Sequence, residues 1–298
     1  MDILIGINKP RDITSQDAVT RVKRILKAKK AGHTGTLDPL ATGLLIICIN
    51  RATRLASYFS ALDKEYKAVM KLGETTDTQD AYGKIIDQSN TSNLDERRIE
   101  DTLKSFEGTS RQQPPMFSAL KHKGQSLYTY ARQGIEIERS HREITIHSIR
   151  LMNIELPRVT FKARCSKGTY IRTLCHDIGQ KLNVGAHLLE LERTAIGPFT
   201  LENSLTLEEL QSVSEGEQAD RGFYTMYEAL SWMPEFKIKE PTVKAVMHGH
   251  PIQLGTLRPA DDITSSSGIK IVSPGGDLLA IGSYSPVKNE IKMDTVLA

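Results

Sequence analysis

The chain has 298 residues, a length that suits one large domain with a smaller domain attached. Hydrophobic residues make up 39% and charged residues 25%, as in ordinary globular proteins, and the net charge of +3 does not by itself indicate a nucleic-acid partner. The sequence has no apolar run long enough to cross a membrane and no secretory signal at its start. The three cysteines form no CxxC pair, so we expect reduced thiols, a cytoplasmic location and no structural zinc.

The N-terminal segment predicts a strand followed by a basic helix. ILIGI (3–7) is a short apolar strand, and Thr14 and Ser15 are N-cap candidates for a helix over residues 16–29. Six cations cluster in the second half of this region: Arg21, Lys23, Arg24, Lys27, Lys29 and Lys30. Most such runs are solvated helix faces, but one that precedes a candidate active loop is a candidate for phosphate contacts.

The segment GHTGTLDPLATGLL (32–45) is a polar, glycine-rich loop that holds a lone acid, Asp38, and runs directly into the apolar strand LLIICI (44–49). Asp38 and Pro39 fit a helix start, with Asp38 as the N-cap and Pro39 at the first helical position. A loop fixed at both ends also holds its side chains rigidly. A capping role and a chemical role for Asp38 therefore both stay open at this point.

The middle of the chain predicts alternating strands and helices. EYKAVMKLG (65–73) alternates, which puts one set of side chains on a single face of a strand: Tyr66, Ala68, Met70 and Leu72. Further strands are predicted over 135–138, 142–155 and 158–165, and helices over 52–64, 94–108, the second half of 111–134 and 173–182.

Tyr170 and Arg172 are separated by one residue in GTYIR (168–172). On a helix the two side chains diverge, whereas in an extended segment they share a face. Gly168 favours an extended entry, and the alternative is a surface tyrosine beside a solvated arginine.

Two further groups of residues invite a chemical interpretation that their spacing does not support. Cys175, His176 and Asp177 suggest a thiol nucleophile, but adjacent residues on a helix point in different directions. His248 and His250 lack further ligands, so we predict no metal site. No glycine-rich phosphate loop of Walker or Rossmann type is present, so we expect no nucleotide cofactor.

The chain changes character near Pro234, where short β segments with glycine- and proline-rich turns begin. This pattern is typical of a small barrel. We therefore predict two domains, 1–233 and 234–298, with the boundary in SWMPEF (231–236).

The loop GHTGTLDPLATGLL closely resembles the signature loop of the TruB family of tRNA pseudouridine synthases. Five further segments match the family in the same order: KP…TS at 9–15, and the segments 64–83, 112–134, 165–179 and 187–199. The C-terminal part resembles the PUA domain of these proteins. One departure is Asp12, where the family usually has glycine. Because aspartate tolerates left-handed backbone angles better than most residues, we expect a local adjustment there.

The resemblance implies an α+β protein with the pseudouridine synthase fold: a mixed, largely antiparallel sheet with flanking helices, plus a PUA-like small β-barrel. It implies isomerisation of uridine-55 to pseudouridine in the T loop of tRNA, by base flipping. That reaction needs no metal and no redox cofactor, so the cofactor expectation is none. The implied partner is the T stem-loop of tRNA, with no membrane, no obligate protein partner and a monomeric state.

The resemblance also assigns roles to six residues. Asp38 matches the catalytic aspartate, Arg172 the arginine that pairs with it, and Tyr170 the tyrosine proposed to take the proton from carbon 5. For substrate binding, Tyr66 would stack on the flipped base, with Tyr170 also beside it. Leu191 would form a wall of the pocket, and His33 would occupy the space that the base leaves.

Three alternatives stay open from the sequence. Asp38 either attacks the ring or ribose covalently or removes a ribose proton to give a glycal. The chain is either a tRNA enzyme or a related synthase of a guide-RNA complex, although those chains carry extensions not seen here. The third alternative is a non-catalytic RNA binder or tRNA-folding chaperone, and chaperone action could also accompany catalysis. Binding alone does not need the acid, so Asp38, Tyr66, Tyr170 and Arg172 together favour an enzyme.

Overall fold

A computed structural model describes residues 1–118, 120–255, 263 and 268–297. Its helices are α1 (Ser15–Ile25), α2 (Ala56–Ser60), α3 (Glu96–Lys104), α4 (Leu127–Arg132), α5 (Ile171–Leu182), α6 (Leu207–Ser214) and α7 (Glu240–Met247), with 3-10 turns at Asn50–Leu55, Leu201–Asn203 and Glu228–Leu230. Its strands are β1 (Ile3–Lys9), β2 (Ala31–His33), β3 (Thr42–Ile49), β4 (Lys64–Leu72), β5 (Glu74–Thr76), β6 (Ile85–Gln88), β7 (Gly108–Gln112), β8 (Lys121–His122), β9 (Gln125–Ser126), β10 (Arg142–Glu155), β11 (Arg158–Cys165), β12 (Ala186–Ile196), β13 (Phe199–Thr200), β14 (Phe223–Thr225), β15 (Glu235–Lys237), β16 (Ile252–Gln253), β17 (Ile269–Val272), β18 (Leu278–Ser285) and β19 (Glu290–Val296).

One large sheet organises residues 3–225 in the order β14-β1-β3-β12-β4-β11-β10-β7, with β2 added to β3 and β13 to β12. Its described pairings are antiparallel except between β3 and β12, where Thr42 and Gly43 lie beside Glu192 and Arg193 in parallel. The expected mixed, largely antiparallel sheet is confirmed.

The apolar run of β3 predicts a strand buried on both faces, and the structure confirms this. Leu45, Ile47 and Ile49 pack with α1 and α6, whereas Leu44 and Ile46 face a second cluster on the opposite side of the sheet. A third cluster fills the space between β4, β10–β12 and the helices α3 and α5. Burying these side chains is the main favourable contribution to folding, at about 25 cal/mol per Å² of apolar surface.

The C-terminal part forms a separate five-stranded sheet in the order β15-β17-β18-β19-β16, curled into a half-barrel. Its residues Ile281 and Leu297 join the same core cluster as Leu230 and Met233. Arg54 donates a hydrogen bond to the carbonyl of Val296 at 2.6 Å, so the final strand is tied to the larger part. Some of residues 234–298 lie outside the described part of the chain, and the division at 233/234 stays a prediction.

The secondary structure departs from the sequence predictions in four places. The basic helix ends at Ile25 and not at residue 29, because Lys27 takes a left-handed φ of 49° that stops the helix. Residues 52–64 form a 3-10 turn followed by the short helix α2. Residues 135–138 form no strand, since the carbonyl of Ile137 accepts its hydrogen bond from the side chain of Arg139.

The fourth departure is α7, which replaces a predicted β segment. Pro241 lies in its first turn, where the missing N–H costs nothing because that group has no intrahelical partner. His248 ends this helix, so His248 and His250 do not share a strand. Among the described residues no group of His, Cys, Asp and Glu side chains is placed to hold a metal ion. None of the described helices combines the length and apolar composition that crossing a bilayer requires.

Candidate active site

A cavity of about 300 Å³ opens over the centre of the large sheet, where β4 and β12 meet the loop between β2 and β3. This volume lies at the lower end of the range for small-ligand sites, about 300–1,000 Å³. The lining includes five of the six residues singled out from the sequence: Asp38, Tyr66, Tyr170, Arg172 and Leu191. Further lining residues are Thr34, Gly35, Thr36, Leu37, Ser60, Lys64, Leu120, Ser166, Gly168, Thr169, Ile171 and Arg193.

The loop that carries Asp38 forms a single turn and not a helix. The amide of Ala41 donates to the carbonyl of Asp38 at 3.0 Å, and the chain enters β3 at the next residue. The predicted helix start at Asp38 is therefore wrong, because no length of chain is left for a helix before the strand. On the other side of the loop, Ser15 exchanges hydrogen bonds of 2.8 and 3.0 Å with the backbone of Leu37. The loop is thus pinned at both ends, and the carboxylate is left to face the cavity.

Asp12, the departure from the family pattern, supports the same loop. It takes a φ of 67°, in the left-handed region that glycine adopts freely, as the expected local adjustment requires. Its amide donates to the carbonyl of Pro39 at 2.8 Å, directly after Asp38. Its carboxylate accepts a hydrogen bond from the phenol of Tyr82.

Arg172 lies between two carboxylates. Its Nη2 is 3.3 Å from Oδ2 of Asp38, and its Nη1 is 3.5 Å from Oδ2 of Asp80. It also donates to the carbonyl of Phe117. The Arg172 side chain is 5% exposed and that of Asp38 36%, so the guanidinium is buried while the Asp38 carboxylate opens into the cavity.

Tyr170 and Arg172 reach the cavity by a route that differs from the sequence prediction. Tyr170 is extended, with φ −98° and ψ 109°, but it is the N-cap of α5, so Arg172 is already helical. The predicted extended GTYIR segment is wrong from Ile171 onward. Because Tyr170 leaves the chain before the helix begins, both side chains still converge, with Cζ of Arg172 5.9 Å from the ring centre of Tyr170. Gln112 fixes the backbone of Tyr170 with two hydrogen bonds, of 2.8 and 3.1 Å.

Burial dominates the electrostatics of the cavity. It raises the pKa of Asp38 above the ordinary aspartate value; Arg172 and Lys9 oppose the rise and Asp80 adds to it. Although the side chain opens to the cavity, its carboxylate lies below the protein surface, which is why desolvation outweighs the nearby cations. A carboxylate with a raised pKa is more basic when ionised.

Two tyrosines in the cavity are affected in the same way. Burial raises the pKa of Tyr66 and of Tyr170, and the neighbouring guanidinium opposes each rise: Arg193 beside Tyr66, and Arg172 beside Tyr170. Both phenols are therefore protonated in the resting cavity. Tyr66 lies on β4 and Leu191 on β12, so the sheet itself presents these two side chains to the cavity.

His33 is the one singled-out residue that the structure does not bring into the cavity lining. It ends β2, immediately before the loop, and its Nδ1 is buried without a hydrogen-bond partner. Burial, followed by the charge of Arg193, lowers its pKa, so the imidazole is neutral at physiological pH.

The sequence analysis missed three charged residues at the site: Lys64, Asp80 and Arg193. Lys64 and Arg193 are in phase with buried neighbours on their strands, Lys64 with Tyr66 and Arg193 with Leu191. A cation on the inward face of an apolar strand is the signal that could have identified both. Asp80 lies in a polar loop with several other acids, and only the fold brings it to Arg172.

The cysteines are placed as core residues and not as nucleophiles. Cys48, Cys165 and Cys175 are free and buried. Burial raises the pKa of each thiol, to about 12 for Cys48 and Cys165, so none of them is a thiolate at neutral pH.

Comparison with known proteins identifies the family. The TruB family pseudouridylate synthase (N terminal domain) model matches residues 23–171, and the tRNA pseudouridylate synthase B C-terminal domain model matches residues 172–229. The chain is 38% identical to tRNA pseudouridine synthase B of Syntrophotalea carbinolica, over 96% of this chain and 93% of that protein. It is 42% identical to tRNA pseudouridine synthase B of Pelotomaculum thermopropionicum, over 94% and 90%.

A solved structure with a similar fold is a chain of the Cbf5-Nop10-Gar1 complex, with a TM-score of 0.76 and 28% identity over 99% of this chain and 85% of that one. The archaeal box H/ACA Nop10-Cbf5 complex gives a TM-score of 0.74 and 27% identity over 99% and 86%. The fold, the family models and the relatives agree. The chain belongs to the TruB family and is a tRNA pseudouridine synthase, an isomerase.

Proposed function

We propose that this enzyme converts uridine-55 in the T loop of tRNA to pseudouridine, with Asp38 as the catalytic carboxylate. The observation that carries the proposal is the Asp38 carboxylate, which opens into the cavity 3.3 Å from the buried guanidinium of Arg172. A structural cap would instead point its carboxylate at backbone amides of its own turn. The Asp38 loop ends in a turn, and its acid faces the cavity.

The cavity suits a base that has left its stack. Removing a base from a folded RNA loop costs a few kcal/mol, which contacts in the pocket must offset. Tyr66 provides an aromatic ring for the uracil, and a base stacked on an aromatic side chain gains about 1–3 kcal/mol. Leu191 closes the opposite side, and we propose that His33 enters the RNA loop where the base was.

The reaction is an isomerisation, so no atom is gained or lost overall. The bond between N1 of uracil and C1′ of ribose breaks, the base rotates, C5 bonds to C1′, and the C5 proton leaves. We propose that Asp38 starts the first step, either as a nucleophile or by removing a ribose proton. Tyr170 takes the C5 proton in the last step, since its raised pKa keeps the phenol neutral until then and Arg172 lies beside its ring.

An exposed basic surface lies next to this loop. The cations of segment 21–30 are all exposed, and none of them forms an ion pair with a described residue. Unpaired exposed cations are free to bind phosphates, and we propose that they contact the tRNA backbone. The same surface would serve an accompanying tRNA-folding activity that does not need Asp38.

A tRNA substrate is favoured over a guide-RNA complex by sequence similarity. The curated tRNA enzymes are 38–42% identical to the chain, whereas the chains of the H/ACA complexes are 26–28% identical. We therefore expect the purified protein to act alone on tRNA, as a monomer.

The test is incubation with an unmodified tRNA transcript, followed by mapping of pseudouridine at single-nucleotide resolution. We expect one modified position, 55, and none in a transcript with cytidine at that position. Asp38→Asn keeps the size of the side chain and should fold and bind tRNA without forming pseudouridine, because an amide is neither the nucleophile nor the base required. Modification by the purified variant, with deamidation excluded by mass spectrometry, would overturn the assignment. Modification elsewhere in the tRNA would overturn the site specificity.

A further inference from the structure

Arg193 contacts both ends of the loop that carries Asp38. Before the loop, its Nη2 donates to the carbonyl of Gly35 at 3.1 Å and its Nη1 to the carbonyl of Thr36 at 3.4 Å. After the loop, its Nε donates to the carbonyl of Leu44 at 2.7 Å. The loop therefore leaves and rejoins the body of the protein at a single guanidinium.

The backbone of Arg193 holds the same point. It pairs with Gly43 in the parallel contact between β12 and β3. Gly43 has a φ of 100°, and a Cβ there would lie 2.4 Å from the carbonyl oxygen of Arg193. The close approach of the two strands thus depends on the missing side chain, and it brings the guanidinium within reach of the loop.

Arg193 is 1% exposed, and no described carboxylate lies within ion-pair distance of it. Taking an arginine out of water is costly, and a neutral side chain would avoid that cost. All of its printed hydrogen bonds go to backbone carbonyls, so it contributes defined geometry and not a charge pair. A planar guanidinium with donors in fixed directions suits this task better than a flexible ammonium.

We propose that Arg193 is a positioning residue for the reaction: it fixes the loop so that the Asp38 carboxylate stays aimed into the cavity beside Arg172. Thr36, which it binds, is two residues from Asp38, and Leu44 begins the buried part of β3. This inference rests on the proposed catalytic role of Asp38. The expected signature is a slower chemical step with unchanged tRNA binding, because Arg193 lies beneath the loop and has no exposed surface for RNA.

The test compares Arg193→Met and Arg193→Lys with the parent enzyme in single-turnover assays on excess enzyme, alongside tRNA binding. A displacement of a reacting group by about 1 Å costs about 100-fold in rate, so we expect a loss of about that size for Arg193→Met. Arg193→Lys keeps the charge, but one nitrogen cannot reach three separated carbonyls. It should recover folding stability yet remain slow, and it keeps the test valid if Arg193→Met does not fold.

Leu103→Ala is the matched control for lost stability. Leu103 is buried in α3, outside the cavity lining, and truncation of a buried leucine costs about 2–5 kcal/mol. This variant should keep the parent single-turnover rate at a temperature where it is folded.

A folded Arg193 variant with the parent rate would overturn the inference, as would weaker tRNA binding at an unchanged rate, or an equal slowing in Leu103→Ala. These outcomes are distinct from failure of the proposed function. Activity in Asp38→Asn would overturn the role of Asp38 itself, whereas an inactive Asp38→Asn together with a fast Arg193→Met would overturn only the role of Arg193.

Discussion

Replacing the buried lysine of the cavity wall, Lys64→Met, should change how folding stability depends on pH. Lys64 is 7% exposed, and its ammonium donates to the carbonyls of Ser60 and Leu62, both at 2.6 Å. Burial, followed by the charge of Arg193, lowers its pKa from 10.5 to about 8; Cys165 and Asp63 oppose the shift. In the unfolded chain the same lysine titrates near 10.4.

The sign follows from proton binding. Between pH 8 and 10.5 the unfolded chain holds a proton on Lys64 that the folded protein has released, so the free energy of unfolding rises with pH. One pKa unit corresponds to about 1.4 kcal/mol, which gives about 3 kcal/mol over this interval. Because the ammonium borders an open cavity, solvent reduces this figure, and we expect a gain of about 1–3 kcal/mol.

The assay is urea denaturation of the parent and of Lys64→Met at pH 7 and pH 10, with the difference between the two proteins as the measured quantity. The parent should gain stability relative to the variant as the pH rises. Lys162→Met, which removes a half-buried lysine from the neighbouring strand, controls for the loss of one positive charge. A difference that does not change with pH, or that changes with the opposite sign, would refute the reasoning.

Three further predictions concern the loop and its surroundings. Asp12→Asn should leave stability unchanged, whereas Asp12→Val should lose about 1–2 kcal/mol in urea denaturation, because a β-branched residue resists the φ of 67°; equal stabilities would contradict this. Gly43→Ala should lose more than about 2 kcal/mol and slow single turnover, since its Cβ would lie 2.4 Å from a backbone oxygen of β12; parent-like values would show that the strands separate freely. Replacing Lys27, Lys29 and Lys30 with Gln should weaken tRNA binding and flatten its dependence on salt by about 0.9 per lost phosphate contact, and an unchanged slope would leave these lysines as a solvated face.

Much of the fold could be predicted from local sequence patterns. The alternation in β4 and the apolar run of β3 reflect burial on one face or on two, and both strands lie where the sequence predicts them. Helix ends were harder to predict. The helix from Ser15 ends early because Lys27 turns left-handed, and α7 forms through a proline in its first turn, although proline more often indicates a break.

The site was predictable only in part. Family resemblance singled out Asp38 and Arg172, and the structure places them 3.3 Å apart although 134 residues separate them in the sequence. Asp80 and Arg193 act at the site through contacts over 92 and about 150 residues of chain. No local pattern encodes such distances, and only the order of the strands determines them.

The single parallel contact between β3 and β12 also bears on when the enzyme becomes active during folding. Gly43 and Arg193 meet there, and closing so long a chain loop is entropically costly and slow compared with forming hairpins such as β10–β11. The cavity cannot exist before this seam closes, because the loop with Asp38 lies on one side of it and Leu191 on the other. A partly synthesised chain that still lacks β12 would therefore have no place for a base. Pseudouridine formation thus reports that the two halves of the sheet have joined, and a nascent or misassembled chain is kept from acting on RNA by topology alone.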